Sequence, residues 1–243
     1  RGRHLLEKRA DGMREALRCF EEAARLDPGF SRPHAGIACA FNLFGLYHEL
    51  RPREASPRAR AAAERALAID PSDAFALVMR AHVALWYEWD FPRAEQLARR
   101  ALELAPGFHL AHDAVGFVLA AQGRFEEAIA SMQRARALDP LSEFTTYDLA
   151  WILILAGRYQ QAIRELQPAL ERHPQVSELH RAFGFSLFYA GRLREARAAL
   201  ERVLELSVGD RWGSTNLVQA LAALGERDEA RRLVREIEQR APH

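Results

Sequence analysis

Lysine is all but missing from this chain of 243 residues: Lys8 is the only one, and arginine makes up the rest of the 34 basic residues. Against 33 acidic residues they leave a net charge of +1, so no field of one sign draws the chain to nucleic acid or to an acidic membrane. The arginine bias is read as the mark of a GC-rich coding sequence rather than of a binding role. Cysteine is nearly as scarce. Cys19 and Cys39 form no C-x-x-C pair, which argues against a zinc framework and a disulfide scaffold and leaves them as ordinary helix residues. No apolar run reaches the length of a membrane span, and no signal sequence stands before the first helix. A Gly-rich phosphate loop, a G-x-S-x-G elbow and an H-E-x-x-H motif are all absent. With no nucleophile or base to nominate, the chain is expected not to be an enzyme, to hold no cofactor or metal, and to take no small-molecule substrate. Nor does it open on methionine. Arg1-Gly2-Arg3 begins it, and the expectation is a fragment of a longer protein.

What the sequence has in abundance is a repeating pattern. Between His109 and Ser142, one apolar-periodic segment carries Val115, Gly116 and Leu119, and after Gly123 a second carries Ala128, Met132 and Ala135. Each set of offsets marks one face of a helix. The pattern returns 34 residues on as Leu149, Ala150, Leu153, Gly157, Ala162, Leu166 and Ala169. It returns again as Phe183, Gly184, Leu187, Gly191, Ala196, Leu200 and Val203, without insertion or deletion. Gly123, Gly157, Gly191 and Gly225 each close a first helix, where a left-handed backbone is predicted. Gly116, Ala150 and Gly184 are expected to face Ala128, Ala162 and Ala196, small against small, so that paired helices approach closely.

A 34-residue helix-turn-helix period resembles the tetratricopeptide repeat. The resemblance implies an all-α fold, a right-handed α-solenoid of about seven helix pairs forming a single array over 1–243. The repeats fall at about 1–30, partial because its first helix is short, then 31–74, 75–108, 109–142, 143–176, 177–210 and a cap-like 211–243. The partial first repeat leads to the expectation that the array starts upstream. The second repeat carries some nine inserted residues, Leu46 to Arg53 among them, and its second helix is expected to start at Ser56-Pro57. Arg51, Arg53, Arg58 and Arg60 make that neighbourhood basic, either a contact for an acidic partner or a solvated edge.

Four further features stand out. In the third repeat Trp89 takes the turn position that glycine holds elsewhere, and the phase of the preceding helix is open by one residue. Trp86 and Trp89 are read as packing between neighbouring repeats, with Asp90 capping the next helix. Pro168, inside a helix, should bend it, and Ser207-Val208 replaces the usual Asp-Pro before the last repeat. His34, His112 and His180 share one repeat position, read as packing rather than as metal ligands, although His109 and His112 have a metal-compatible spacing.

The resemblance also implies a concave groove lined by the first helices. Its positions in this chain are Asp113, Phe117 and Ala120; Tyr147, Trp151, Ile154 and Leu155; Arg181, Phe185, Phe188 and Tyr189; and Thr215, Gln219 and Ala222. Phe117, Trp151 and Phe185 succeed one another at one position and are expected to form a ladder. Tetratricopeptide domains that clamp a chaperone's acidic C-terminus place basic and asparagine side chains there, and this chain has only Arg181. The expected partner is therefore a protein or an apolar or amphipathic peptide, anchored on Trp151 and oriented by Arg181. The alternative is an oligomerisation or architectural module whose aromatic surface packs against another copy.

A narrower resemblance rests on the opening G-R-x-L-L, the R-E-A-x-P-R-A segment, the W-Y-E-W-D-F turn and A-L-E-L-A-P. Together these resemble the C-terminal repeat module of bacterial multidomain signalling proteins, where it follows a winged-helix domain, a nucleotide cyclase or a serine/threonine kinase domain. That implies a partner-binding or sensory module of a regulator. Its location is expected to be cytoplasmic, or periplasmic if a membrane span precedes it.

Overall fold

A computed structural model describes residues 9–47, 49–207 and 210–240. Among them are 13 α-helices and no strand. The first repeat's shortened helix and Val208 lie outside the described residues. The helices run α1 (Arg9–Leu26), α2 (Ser31–Leu46), α3 (Pro52–Ile69), α4 (Ala74–Val83), α5 (Phe91–Leu104), α6 (His109–Ala121) and α7 (Phe125–Leu138). They continue as α8 (Glu143–Leu155), α9 (Tyr159–Arg172), α10 (Ser177–Tyr189), α11 (Leu193–Leu206), α12 (Arg211–Ala223) and α13 (Arg227–Arg240). The chain divides into two compact units, Arg1–Leu138 and Asp139–His243. Within them, α3, α5, α9 and α11 each pack between their own first helix and that of the next hairpin, and successive first helices also touch. That makes α2, α4 and α6 one row and α8, α10 and α12 another.

The hairpins close on small-to-large contacts. A Cβ added to Gly116 would stand 2.9 Å from Met132 Cγ and one on Gly184 2.7 Å from Leu200 Cγ; between the first two repeats the same kind of contact sets Gly36 against Phe20, where an added Cβ would stand 2.5 Å from Phe20 Cδ1. The nearest atoms are those of the large residue one turn on from each expected alanine, and Ala196 O also stands 3.5 Å from the Gly184 position, as expected of that pair. Helical side chains lean toward the N-terminus of their own helix, so Met132 and Leu200 cover the level of Ala128 and Ala196 one turn back. Four turn glycines adopt the left-handed backbone, at φ 77° for Gly123, 73° for Gly157, 77° for Gly191 and 84° for Gly225.

Two irregular stretches differ from the sequence expectation. In the second repeat, α3 begins at Pro52 rather than at Ser56-Pro57, and Pro57 lies inside it. Pro52 itself occupies the first helical turn, where no N–H is needed. The added turn buries Ala55 against Gly45, whose own added Cβ would stand 3.2 Å from the Ala55 Cβ. Burial thus offsets the hydrogen bond that Pro57 cannot make. The inserted residues become longer helices, 16 residues in α2 and 18 in α3, against 13 and 14 in α6 and α7. Helix α9 likewise continues through Pro168.

In the third repeat the open phase is resolved by a π-turn. Asp73 caps α4, accepting from Phe75 and Ala76 N–H, one residue earlier than the strict period would place the start. Ala84–Glu88 then forms a π-helical turn that takes up the extra residue. Trp89 therefore lands on the turn position in register, left-handed at φ 56° and ψ 24°. Trp86 packs as expected, stacked on His82 at 4.3 Å and edge-on to Phe117 of the next repeat at 6.3 Å. Trp89 does not: it is 73% exposed. The left-handed backbone turns its side chain out of the helix row, with Phe91 as its ring neighbour. Asp90 caps α5 through Arg93 N–H at 3.0 Å.

Two of the three repeat-position histidines act as fasteners. His112 Nε2 donates to Pro106 O at 3.0 Å, and His180 Nε2 to Pro174 O at 2.9 Å, each tying a first helix to the turn before it. Among the described residues no group of His, Cys, Asp and Glu could hold a metal, and no helix is long and apolar enough to cross a membrane.

A tryptophan in the left-handed region costs roughly 1–3 kcal/mol, and its exposure means little packing is lost on removal. Trp89→Gly should therefore raise stability by about 1 kcal/mol, measured as a higher urea midpoint at unchanged slope. Burial lowers the pKa of His82 from its ordinary 6.5 to about 4. Between those values the unfolded chain binds a proton that the folded chain refuses, so stability present above pH 6.5 is lost as pH falls toward 4. The loss is on the order of 3 kcal/mol, and urea melts of His82→Phe should show a flatter pH dependence through that window.

Candidate functional site

The row α8, α10 and α12 carries most of the aromatic positions. Tyr147, Trp151 and Leu155 stand on α8 at intervals of four, and Arg181, Phe185 and Tyr189 on α10 do the same, so each trio forms one stripe of a helix. Direct contact between the helices brings the stripes together. Tyr147 meets Trp151 edge-on at 6.1 Å, Trp151 meets Phe185 at 5.2 Å, and Phe185 meets Tyr189 at 5.4 Å. Tyr189 in turn stacks on Tyr159 of α9 at 5.3 Å with planes 19° apart. Five rings from three helices thus make one continuous surface. Leu155 is 58% exposed and Tyr189 47% exposed at its edge, while Tyr147, Trp151 and Phe185 are half-buried.

The remaining positions separate by environment. Ile154 is buried, and Phe188 packs into the core on both sides of α10. Thr215, Gln219 and Ala222 are exposed on α12. Phe117 belongs to the first unit, where it joins Trp86, Leu85 and Val118, and Asp113 and Ala120 are buried there.

Arg181 is not presented to solvent. It is 6% exposed; its Nη1 donates to Asp210 Oδ2 at 3.0 Å, its Nη2 to Tyr147 Oη at 2.9 Å, and its guanidinium lies 5.8 Å from the Tyr147 ring centre. Asp210 also accepts from Gly213 N–H at 2.7 Å as the cap of α12. One arginine on α10 thus reaches both Tyr147 of α8 and the cap of α12, and sets the attitude of Tyr147.

Two members of this arrangement, Tyr159 and Asp210, are not among the groove positions read from the sequence. Tyr159 opens a second helix, and a search confined to first helices passes over it. Its signal is its place two residues after Gly157, beside the end of the next first helix. Asp210 looks like a helix cap and nothing more, because its partner Arg181 is distant in sequence.

The sequence comparisons accord with the geometry. Models described as tetratricopeptide repeat match residues 79–143, 119–182 and 187–243. The chain belongs to the tetratricopeptide repeat family. No curated protein matches it significantly. Solved structures are similar in fold at low identity. A thermophilic TPR protein of Thermus thermophilus superposes with TM-score 0.64 and 21% identity, over 73% of this chain and 96% of its own. A tetratricopeptide repeat protein of Parabacteroides merdae gives 0.66 and 16%, over 100% and 94%. YrrB, a TPR protein, gives 0.50 and 20%, over 85% and 97%. TPR proteins generally mediate protein–protein interaction, and the fold is typically a non-catalytic scaffold.

Leu149 and Leu153 point into the helix-pair seam and are fully buried, whereas Trp151 on the same TPR helix is half-buried. Leu153→Ala should cost about 2–5 kcal/mol through the cavity it opens, and Trp151→Ala clearly less. Parallel thermal melts check the order, and equal losses would place Trp151 in the core.

Proposed function

We propose that the second unit binds an apolar or amphipathic peptide segment of a protein partner across the five-ring surface of α8, α9 and α10. The observation that carries this reading is the unbroken contact from Tyr147 to Tyr159, edged by the exposed Leu155 and Tyr189. Rings that already support one another lose little freedom on binding, which favours them as anchors. Trp151, touching both Tyr147 and Phe185, is the central anchor. Arg181 serves by holding Tyr147, since its guanidinium is committed to Asp210 and Tyr147. A peptide site on this fold has a parallel in YrrB, described as having an unusual peptide-binding site.

The four motifs shared with bacterial signalling proteins support a larger setting for this binding. In it the chain is the cytoplasmic partner-binding or sensory module of a regulator. The alternative reading, self-association, has one observation in its favour. An open groove of about 980 Å³ in the first unit is lined by Phe20, Ala23, Leu26, Phe30 and Phe75, apolar surface of the kind that a second copy covers.

Trp151→Ala should weaken capture of partners from native lysate by about 2 kcal/mol or more if it behaves as a hot spot, with melting close to wild type. Light scattering on the same samples separates the readings: a monomer at all concentrations supports the peptide site, a dimer lost in Trp151→Ala would replace it with self-association on the rings, and a dimer kept in Trp151→Ala would place self-association on the first-unit groove.

A further inference from the structure

The row that carries the rings continues beyond them. Helix α12 touches α10, and its residues Trp212, Thr215, Gln219, Ala222 and Ala223 are exposed. Their spacing places them on one stripe of the helix. From Trp212 to Gly225 the chain carries no Asp, Glu, Lys, Arg or His, in a protein of which 28% of the residues are charged. An exposed helix face without charge has the composition of the middle of an interface, where charged residues are depleted.

One residue on that face breaks the ladder. Trp151 and Phe185 hold the same repeat position and their rings meet at 5.2 Å, and 34 residues further on the position is held by Gln219. Two rings are thus followed by a carboxamide, which offers N–H donors and a carbonyl acceptor but no charge. An apolar side chain laid on Gln219 would strip water from the amide and return no hydrogen bond. A charged side chain would give up its hydration for neutral contacts alone. A neutral side chain with a donor and an acceptor of its own avoids both losses. Resting on the peptide-binding reading above, we infer that Gln219 is a specificity-determining residue of this surface: the partner segment lays apolar side chains on Trp151 and Phe185 and sets an uncharged hydrogen-bonding side chain, Asn, Gln, Ser or Thr, on Gln219. Neighbouring helices stand about 8–10 Å apart and an extended chain advances about 3.3 Å per residue, so the polar residue lies roughly two or three residues beyond the apolar one seated on Phe185.

The test starts from a phage-displayed dodecapeptide library selected on the immobilised chain. Recovered peptides, with copies in which the residue assigned to Gln219 is replaced by Leu or by Asp, are titrated by fluorescence anisotropy against wild type, Gln219→Leu, Gln219→Ala and Trp151→Ala. The expected result is enrichment of two apolar residues followed at that spacing by an uncharged polar one, with both copies binding wild type about fivefold more weakly than the parent peptide. Gln219→Leu should reverse the order of the parent and its Leu copy, which a merely structural role for Gln219 would not do. Because Gln219 is exposed, the variant should melt like wild type; if it does not, Gln219→Ala carries the comparison, with the preference for the parent shrinking to about twofold or less. A preference kept in the Gln219 variants, or selected peptides with an apolar or charged residue at that place, would overturn the role of Gln219. Weaker binding of the same peptides to Trp151→Ala would in that case leave the ring site standing. Binding that Trp151→Ala does not weaken, or no enrichment at all, would remove both.

Discussion

The close approach of the two helices in each hairpin governs the rest of the structure. Gly116 leaves room for Met132 and Gly184 for Leu200, and in each pair a large side chain fills the space that a Cβ would occupy. Paired helices held at that distance expose a fixed strip of each first helix to the next hairpin. The strip is why successive first helices touch within each unit and why Trp151 on α8 reaches Phe185 on α10 at 5.2 Å. Enlarging one of these glycines should therefore disturb the ring surface as well as the core, since the same spacing sets both.

Where the repeat departs from its period, the backbone absorbs the difference and packing decides how. The second repeat takes its extra residues as added helical turns because Ala55 can be buried against Gly45. The third takes a single extra residue as a π-turn, a form often found where a helix must shift phase. The outcome is a buried His82 stacked on Trp86 and a strained, exposed Trp89. Strain of that kind in a bulky residue calls for a compensating gain, and the packing of Trp86 onto Phe117 of the following repeat is the one that the π-turn provides.

Polar groups inside the second unit work as fasteners. His180 ties α10 to the preceding turn, and Arg181 beside it ties α10 to Tyr147 of one neighbour and Asp210 of the other. A buried ion pair of this sort contributes little net stability, because desolvation opposes the attraction. Its value lies in geometry: α8, α10 and the cap of α12 meet at one guanidinium, so the rings mounted on α8 and α10 keep their register. The arginine that the sequence offers as a ligand contact is thus a support for the aromatic surface.

Much of the fold was legible in the sequence, for a physical reason. Helix periodicity, the turn glycines and the 34-residue spacing are local properties, and each hairpin obeys them without reference to distant residues. The stripes Tyr147-Trp151-Leu155 and Arg181-Phe185-Tyr189 follow from the same spacing. The partners did not. That Arg181 would be buried by Asp210 and Tyr147, that Tyr159 would extend the ring surface, and that Trp89 would turn outward depend on contacts between repeats. Such contacts are set by where a side chain leans and by which backbone turn precedes it. Sequence spacing assigned residues to faces; only the packed repeats decided which of those faces are filled from within and which stay exposed.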